Sequence, residues 1–180
     1  AVAEYISTET WSIVTWIDIS QVRIAEAKKR PHSDRLNFFH MKADQLNFAD
    51  ESFSHVMSMS VLYHVHQRKK AIKEIYRVLQ QWWIFVFEDF VRPNPQVSAE
   101  SKRHVYERLR YWTDFNHSDY QIFLDSCWFE LIEATDLSDH MLKSYTYLIQ
   151  IVKEKVDVPK GKGNYSLREW YLKLLKSYPY

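Results

Sequence analysis

The stretch SFSHVMSMSVLYHVHQRKKAIKEIYRVLQQWWIFVFEDF, residues Ser52–Phe90, decides the fold that we predict for this chain. Its pattern predicts a buried strand over Phe53–Met59, a helix over Lys69–Leu79, a short turn and a second buried strand over Trp82–Phe90. The helix is predicted because apolar residues recur at helical spacing between charged ones. Two apolar strands joined by a helix predict a parallel pair, since parallel neighbours need a crossover of this length.

The residues before this stretch continue the alternation of strands and helices. Trp11–Ile19 predicts a central strand that ends in an acid, and Ser20 is the expected N-cap of a helix over Gln21–Arg30. Leu36–His40 predicts a short strand, and Ala49–Glu51 is a polar break. The alternation predicts an α/β fold, with a mostly parallel sheet that helices cover on both faces.

The residues after this stretch predict helices and one more strand. We expect a loop over 91–97, a helix that Ser98 caps and that runs to about residue 112, and a helix to residue 126. Ser118 and Gln121 are the expected capping box of the latter helix. A strand follows over 129–134, then a helix from Ser138 to about residue 154, of which 145–152 has a strand as its alternative. An amphipathic helix starting near Ser166 ends the chain.

Composition and charge exclude several classes of protein. Hydrophobic residues make up 46% of the 180 residues, which is typical of one folded domain. The 24 basic and 23 acidic residues leave a net charge of +1, so we expect neither nucleic acid nor a membrane as partner. No apolar run approaches the roughly 20 residues of a membrane span. The single Cys127 predicts a reducing, cytoplasmic location.

Polar residues stand where the predicted strands end. In an open parallel sheet, ligands bind outside the carboxyl ends of the strands. These ends carry Asp18, Asp44, Ser58–Ser60, and Glu88 with Asp89. A carboxylate such as Asp18 can accept both hydroxyl hydrogens of a ribose, and the alternative is a helix cap or a solvated turn.

Four segments resemble the class I S-adenosylmethionine-dependent methyltransferases. They are VTWIDIS with QVRIAEAKKR, then KADQLNFADESFSHV, then SVLYHVHQRKKAIKEIYRVLQQWWIFVFEDF, and finally FLDSCWFELIEATDLSDHM. The last resembles enzymes of small molecules, especially those that act on amines such as sarcosine, dimethylglycine or phosphoethanolamine. The resemblance covers about residues 11 to 150. It implies a Rossmann-like fold, a helical substrate cap over 91–126, and one domain over 1–180 that is incomplete at its N-terminus.

The resemblance also implies roles for particular residues. S-adenosylmethionine is the implied cofactor, with Asp18 on its ribose and Asp44 on its adenine amino group. The other implied cofactor contacts are Ile19, Gln45, Ser58, Met59 and Ser60. The implied substrate contacts are Tyr63, His66 and His140, and His64 is the implied catalytic residue. The expected reaction is methyl transfer to a small-molecule acceptor, an amine. The sequence leaves open whether the chain forms a homodimer.

The chain departs from the family at its glycines. It has two glycines, Gly161 and Gly163, and no glycine-rich turn before Trp11. The positions at which the family has glycine carry tryptophan, at Trp16, Trp82, Trp83 and Trp128. A bulky residue in a left-handed turn costs about 1–2 kcal/mol. Because the glycine-rich turn of the family is missing, we expect weak cofactor binding. A methyltransferase-like binding module without catalysis is therefore the first alternative, and a nucleotide-binding oxidoreductase the second.

Three further groups of side chains have two interpretations each. His64 and His66 form an HxH pair, but without a further ligand cluster we expect no metal. Four aromatic residues either cage a cationic amine or pack in a core: Tyr106, Tyr111, Trp112 and Tyr120. Glu74, Arg77 and Lys70 predict a solvated helix face.

Overall fold

The computed structural model describes residues 2–30, 32–92, 98–103, 107 and 115–155. They divide into two compact units. The first contains the described residues up to Asp89, together with Ser126–Phe129. The second contains those of Phe90–Asp125 and those from Glu130 onward. Of the described residues, the first unit carries all the strands and most of the predicted site.

The first unit alternates helices and strands, as the sequence predicts. In chain order its elements are α1 (Val2–Thr10), β1 (Val14–Asp18), α2 (Gln21–Lys29), β2 (Leu36–His40), β3 (Phe53–Met59), a 3₁₀ helix (Leu62–His64), α3 (Arg68–Val78) and β4 (Leu79–Glu88). The predictions for β2 and β3 are confirmed to the residue. Ser20 caps α2 as predicted, since its hydroxyl accepts the Arg23 N–H at 3.3 Å.

The four strands form two parallel pairs. β1 pairs with β2 from Val14↔Leu36 to Asp18↔His40, and β3 pairs with β4 up to Met59↔Glu88. We predicted strand ends near Asp18, Met59 and Asp89 next to one another in one sheet. That prediction is wrong in its pairing, because no ladder joins β1 to β3 among the described residues. The α/β class and the parallel direction are confirmed.

β4 begins without the turn predicted after α3. Leu79 is its first residue, directly after Val78, and pairs with Phe53. The pairing then passes from Phe53↔Leu79 to His55↔Ile84, so the residues between Leu79 and Ile84 leave the ladder. Trp82 lies there with φ 67° and a residue exposure of 98%. The predicted turn is therefore an irregularity within β4.

The core of the first unit lies on α3 rather than on the strands. Its most buried side chains are Leu62, Ala71, Ile72, Val78 and Cys127. Tyr76 was predicted on the same helix face but is exposed. The prediction that β3 and β4 are buried is also wrong: Met57, Trp83, Ile84 and Val86 are exposed. Side chains of a strand point to the two faces of its sheet, so these exposed residues show that the faces of the β3/β4 pair are only partly covered by the described residues.

The second unit contains helices among its described residues. They are α4 (Ala99–Ser101), α5 (His117–Asp125) and α6 (Ser138–Lys155). The strand predicted over 129–134 is wrong, because these residues make no ladder. The strand alternative for 145–152 is also wrong, since this stretch lies within α6.

The caps of α5 and α6 differ from those predicted. Asn116 N–H donates to Asp119 Oδ2 and Asp119 N–H donates to Asn116 Oδ1, both at 2.9 Å, so these two residues form the capping box instead of Ser118 and Gln121. At α6 the Ser138 N–H donates to Asp136 Oδ1 at 2.8 Å. The hydrogen bonds from Ser138 lower the pKa of Asp136. The cap predicted at Ser138 therefore comes from Asp136.

Several predictions lie outside the described residues. They are the prolines of the 91–97 loop, most of the helix over 98–112 and the terminal helix after Ser166. Within the described part of the chain, no helix is both long and apolar enough to cross a lipid bilayer.

Candidate functional site

Asp18 closes β1 with a half-buried carboxylate whose side chain is 22% exposed. Its Oδ1 accepts the Ser20 N–H at 2.7 Å, which shapes the turn into α2. Its Oδ2 lies 3.8 Å from Arg23 Nη1, beyond hydrogen-bond length. One carboxylate oxygen thus fixes the turn, while the other can accept a hydrogen bond from a ligand.

The neighbouring residues hold the ends of β1 and β2 together. His40 Nε2 donates to the Ile19 carbonyl at 2.9 Å, and the Met41 N–H donates to the Asp18 carbonyl at 3.1 Å. The Ile19 side chain is exposed. Asp18 and Ile19 therefore lie together at the carboxyl end of this pair, as predicted.

Asp44 and Gln45 lie in a turn after β2. The Gln45 N–H donates to the Lys42 carbonyl at 3.2 Å, which closes the turn. Asp44 is half-buried and Gln45 is exposed. Both side chains stand on a loop, so their positions depend on whatever holds that loop.

The end of β3 is bonded to the end of β4. Ser58 pairs with Phe87 and Met59 with Glu88. The Ser60 N–H donates to the Glu88 carbonyl, and its hydroxyl donates to Glu88 Oε1, both at 2.9 Å. Ser60 adopts a left-handed conformation with φ 49°. Such backbone costs about 1–3 kcal/mol and clusters at ligand sites.

Tyr63, His64 and His66 precede α3 rather than open it. Tyr63 and His64 belong to the 3₁₀ helix, where the Tyr63 N–H donates to Asp89 Oδ1 at 3.0 Å. The two rings lie 3.8 Å apart between centroids, with an interplanar angle of 36°. Tyr63 is buried, with 5% exposure, whereas His64 and His66 are exposed. The His64 side chain can therefore meet a substrate, while the buried Tyr63 ring packs against the His64 ring.

His140 and Tyr120 belong to the second unit. His140 is exposed in the first turn of α6. Tyr120 is buried, with its ring edge-on to Phe115 at 5.4 Å. This burial favours the core interpretation of Tyr120. The rest of the aromatic cage, at residues 106, 111 and 112, lies outside the described residues.

The hydrogen bonds group the predicted residues of the first unit into two clusters. One contains Asp18 and Ile19 at the end of the β1/β2 pair, and the other contains Ser60 and Tyr63 at the end of the β3/β4 pair. No set of three or more His, Cys, Asp or Glu side chains in the described ranges is arranged to hold a metal ion.

A cavity of about 380 Å³ lies elsewhere in the first unit. Residues of α1, α2, β1 and β2 line it, among them Trp16, Arg23 and His32. None of the predicted cofactor residues is in its lining. Trp16, which stands where the family has glycine, therefore borders this cavity and not the predicted ligand site.

The sequence interpretation missed a polar cluster around Arg77. Arg77 Nη1 donates to the Phe48 carbonyl at 2.8 Å, and Nη2 donates to the Leu46 carbonyl at 2.9 Å. Glu74 accepts from Arg77 Nε at 2.9 Å and from the Leu46 N–H at 2.9 Å. The prediction of a solvated helix face is wrong for these two residues. The available signal was their spacing of three in EIYRVL, where Glu74 adjoins the buried Ile75 and Arg77 adjoins the buried Val78.

The charges of this cluster reinforce one another. The hydrogen bond from Arg77 lowers the pKa of Glu74 below its ordinary value. The hydrogen bond to Glu74, followed by that to Asp50, raises the pKa of the Arg77 guanidinium. Both groups therefore stay charged through the neutral range, and their hydrogen bonds are of the charge-assisted kind.

Comparison with known proteins identifies relatives of the first part of the chain. Residues 1–87 match the family described as a methyltransferase domain. The chain is 32% identical over 85 residues to phthiotriol/phenolphthiotriol dimycocerosates methyltransferase of Mycobacterium tuberculosis, which is 47% of this chain and 31% of that relative. It is 28% identical over 142 residues to 27-O-demethylrifamycin SV methyltransferase of Amycolatopsis mediterranei. That match covers 74% of this chain and 52% of the relative. The chain thus spans about a third to a half of their length.

Solved structures share the fold at lower identity. Phosphoethanolamine N-methyltransferase 2 of Haemonchus contortus, in complex with phosphomonomethylethanolamine and S-adenosylhomocysteine, has a TM-score of 0.79 and 18% identity, over 96% of this chain and 42% of that one. A Galdieria sulphuraria structure, provisionally assigned as a sarcosine dimethylglycine methyltransferase, has a TM-score of 0.79 and 12% identity. The match covers 97% of this chain and 67% of that one. The [4+2]-cyclase SpnF has a TM-score of 0.74 and 19% identity, over 96% and 63%. The chain therefore has the Rossmann-like fold of methyltransferases, and its first 87 residues match the methyltransferase domain family.

Proposed function

We propose that this chain transfers a methyl group from S-adenosylmethionine to a small-molecule amine. The observation that carries the proposal is the extent of the family match. It runs from residue 1 to residue 87 and so includes β1, β2, β3 and almost all of β4, with the ends that carry Asp18 and Ser58–Ser60. The solved relatives that contain S-adenosylmethionine or S-adenosylhomocysteine support the same cofactor.

The donor set at the strand ends fits this cofactor. Asp18 Oδ2 is available for a ribose hydroxyl, because Oδ1 already accepts the Ser20 N–H. Asp44 and Gln45 would meet the adenine, while Ile19 would contribute its exposed side chain beside the ribose. Ser58, Met59 and Ser60 would line the methionine portion. Carboxylates and small polar residues suit a ligand with hydroxyl and ammonium groups.

The protein contributes geometry and desolvation to such a reaction. When bound, the cofactor supplies a sulfonium methyl group as the electrophile. The side chains of this chain hold the acceptor in line and exclude water. The buried Tyr63, whose N–H donates to Asp89, supports the exposed ring of His64. His64 and His66 are the proposed acceptor contacts of the first unit, and His140 of the second unit stays a prediction from the sequence.

The role of His64 depends on the acceptor. A neutral amine carries its own lone pair and needs little base assistance, whereas a hydroxyl must lose a proton during transfer. An exposed histidine at this position can remove that proton. A hydroxyl acceptor is the second candidate, and the name of the Amycolatopsis mediterranei relative favours it.

Cofactor binding is tested first by calorimetric titration of the chain with S-adenosylmethionine and S-adenosylhomocysteine. Weak binding of both, with competition between them at millimolar concentration, is the expected result. Methyl transfer is then followed with labelled cofactor against a panel of small amines and a matched panel of hydroxyl compounds. Transfer to amines supports the proposal, and transfer to hydroxyl compounds alone would replace it with the second candidate.

His64→Ala separates the two acceptors further. With an amine we expect kcat to change by less than about tenfold, because no general base acts. With a hydroxyl acceptor we expect a loss of roughly 10²–10⁴-fold. His117→Ala serves as the matched control, since His117 is also exposed but is not one of the proposed site residues.

The remaining partners follow from the charge and composition of the chain. The net charge of +1 supports neither a nucleic acid nor a membrane as partner. A cytoplasmic location stays the prediction that the single cysteine supports, and a homodimer stays open. A binding module without catalysis is not favoured by the methyltransferase matches.

A further inference from the structure

We infer that Arg77 and Glu74 are positioning residues, which hold the loop of residues 42–51 so that Asp44 meets the adenine amino group. This inference rests on the proposed cofactor role of Asp44. Neither residue is expected to touch the cofactor. They act through the backbone of the loop, to which they are bonded at several points.

The bonds form a clamp between α3 and the loop. Arg77 donates to the carbonyls of Leu46 and Phe48, at 2.9 and 2.8 Å. Glu74 Oε2 accepts the Leu46 N–H at 2.9 Å, so Leu46 is held by both its donor and its acceptor. The Glu51 N–H donates to the Arg77 carbonyl at 2.9 Å. Arg77 Nη1 also donates to Asp50 Oδ1 at 2.7 Å, so the loop is attached to α3 at four residues that follow Asp44.

The loop has weaker attachments of its own. The Gln45 N–H reaches the Lys42 carbonyl at 3.2 Å, and the Asn47 N–H reaches the Met41 sulfur at 3.4 Å. Sulfur is a weak acceptor. The Phe48 ring packs edge-on against Phe53 with centroids 4.9 Å apart, which anchors the far side of the loop. The segment around Asp44 therefore depends on the clamp for its conformation.

The position of the clamp in the fold makes this role specific. Arg77 and Glu74 lie on α3, whose neighbours Ile75 and Val78 are buried in the core. Their side chains are 31% and 22% exposed, so water screens the contacts only in part. The loop is thereby attached to a helix that packs in the core of the first unit, and this attachment restricts the segment around Asp44.

Hydrogen exchange in the cofactor-free chain gives the first test. In Arg77→Met we expect the amides of Leu46 and Glu51 to exchange about tenfold faster, because their segment opens locally. Amides in the middle of α2 and of the β1/β2 pair should keep their rates. Lys69→Met is the matched control, since it removes an exposed cation from the same helix. Unchanged exchange at Leu46 and Glu51 in Arg77→Met would overturn the inference.

Ligand preference gives the second test. The two ligands are S-adenosylhomocysteine and its 6-deamino analogue, in which hydrogen replaces the adenine amino group, titrated by NMR at millimolar concentration. In the native chain we expect roughly tenfold preference for the amino-bearing ligand. In Arg77→Met we expect that preference to fall below about threefold, because the competent loop conformation is less populated. A stability effect alone would weaken both ligands equally, and an unchanged preference would overturn the inference.

Two further variants keep the test decisive. Arg77→Lys retains the charge but cannot span two carbonyls, so we expect it to resemble Arg77→Met. Glu74→Gln still accepts the Leu46 N–H and should show a smaller effect, and it replaces Arg77→Met if that variant fails to fold. If the native chain binds neither ligand, the two are compared in a fusion protein that carries the first strand and glycine-rich turn of a relative before Val2, and equal affinity for both ligands there would overturn the assignment to Asp44. The exchange rates still decide whether the clamp orders the loop.

Discussion

Single residues of this chain carry backbone strain at positions where the family has glycine. Trp82 and Trp128 have φ of 67° and 69°, in the left-handed region that favours glycine. We predicted strain at four such tryptophans, and the structure places two of them in this region. The physical reason is local: Trp82 lies at the irregularity within β4 and Trp128 in a turn, whereas Trp16 and Trp83 keep negative φ in their strands.

Replacing Trp82 by glycine is expected to stabilise the chain. The left-handed conformation costs a bulky residue about 1–2 kcal/mol, and the greater freedom of glycine in the unfolded chain offsets about 0.4–1 kcal/mol. The exposed Trp82 ring loses little packing. We therefore expect the free energy of unfolding to rise by about 0.5–1 kcal/mol, measured by urea denaturation.

The neighbouring Trp83 provides the matched control. Its φ is not positive, and its ring lies 4.8 Å from that of His55. Trp83→Gly should therefore lower the free energy of unfolding by about 1 kcal/mol or more, through lost packing and added chain entropy. Destabilisation by both variants to the same extent would contradict the strain argument.

Asp18 is the residue on which cofactor binding is expected to depend. Asp18→Ala should weaken S-adenosylmethionine binding by roughly 1.5–3 kcal/mol, because a charge-assisted hydrogen bond to the ribose is lost. Calorimetric titration measures the change in a fusion protein that carries an upstream strand and glycine-rich turn, because the chain by itself is expected to bind weakly. Asp18→Asn separates this effect from the turn, since its amide oxygen can still accept the Ser20 N–H. If Asp18→Asn binds as tightly as the native chain, the carboxylate charge has no role in binding.

At the scale of elements, helix ends were harder to predict than helices. Helix α5 exists as predicted, but its capping box is Asn116 with Asp119. Both Asn116/Asp119 and Ser118/Gln121 have the required spacing of three. The pair that caps the helix is decided by where the chain enters the helix, and that is a property of the surrounding backbone.

Asn116→Ala is expected to destabilise α5. Loss of an N-cap side chain costs about 1 kcal/mol, because an N–H at the helix start loses its acceptor. Ser118→Ala is the control and should change the free energy of unfolding by less than about 0.5 kcal/mol. Circular dichroism during urea denaturation measures both. A larger effect from Ser118→Ala would restore the capping box predicted from the sequence.

The link between α3 and its loop is expected to depend on pH. The hydrogen bond from Arg77 lowers the pKa of Glu74 in the folded chain, so the ionised form stabilises the fold. This contribution is complete above the ordinary glutamate pKa and is lost as the pH falls through the lowered value. The native chain should therefore lose stability below about pH 4.5. Glu74→Gln should lose less over the same range, and identical pH profiles from urea denaturation would exclude the contribution of Glu74.

At the scale of the whole molecule, we expect glycine content to limit cofactor affinity. A glycine-rich turn lets backbone N–H groups approach a ligand closely, and the two glycines of this chain are at 161 and 163. We expect residues 1–180 to bind S-adenosylmethionine with a dissociation constant of about 1 mM or weaker. Calorimetric titration at millimolar ligand measures it.

A fusion protein tests the cause of the weak binding. It carries the first strand and glycine-rich turn of a relative before Val2, and we expect it to bind at least about tenfold more tightly. The same strand with each glycine replaced by alanine is the control. Tight binding by the unmodified chain would show that its tryptophans form a pocket in place of the glycine turn.

The sequence by itself determined most of the strands and helices of the first unit and their order. The bounds of β2 and β3, the Ser20 cap and the parallel direction all follow from local pattern, because propensity and periodicity act within a few residues. The residues at the strand ends, such as Asp18 and Ser60, were identified for the same reason. The methyltransferase resemblance was carried by these local segments too.

Only the tertiary structure decided which of those elements pair, which side chains are buried and which residues cap the helices. It divided the strands into two pairs, exposed much of β3 and β4, and chose Asn116 over Ser118 as a cap. It also showed that Arg77, predicted to be solvated, donates hydrogen bonds to a loop more than 25 residues away in sequence. Such contacts depend on distances between segments that are remote along the chain, and no local pattern encodes those distances.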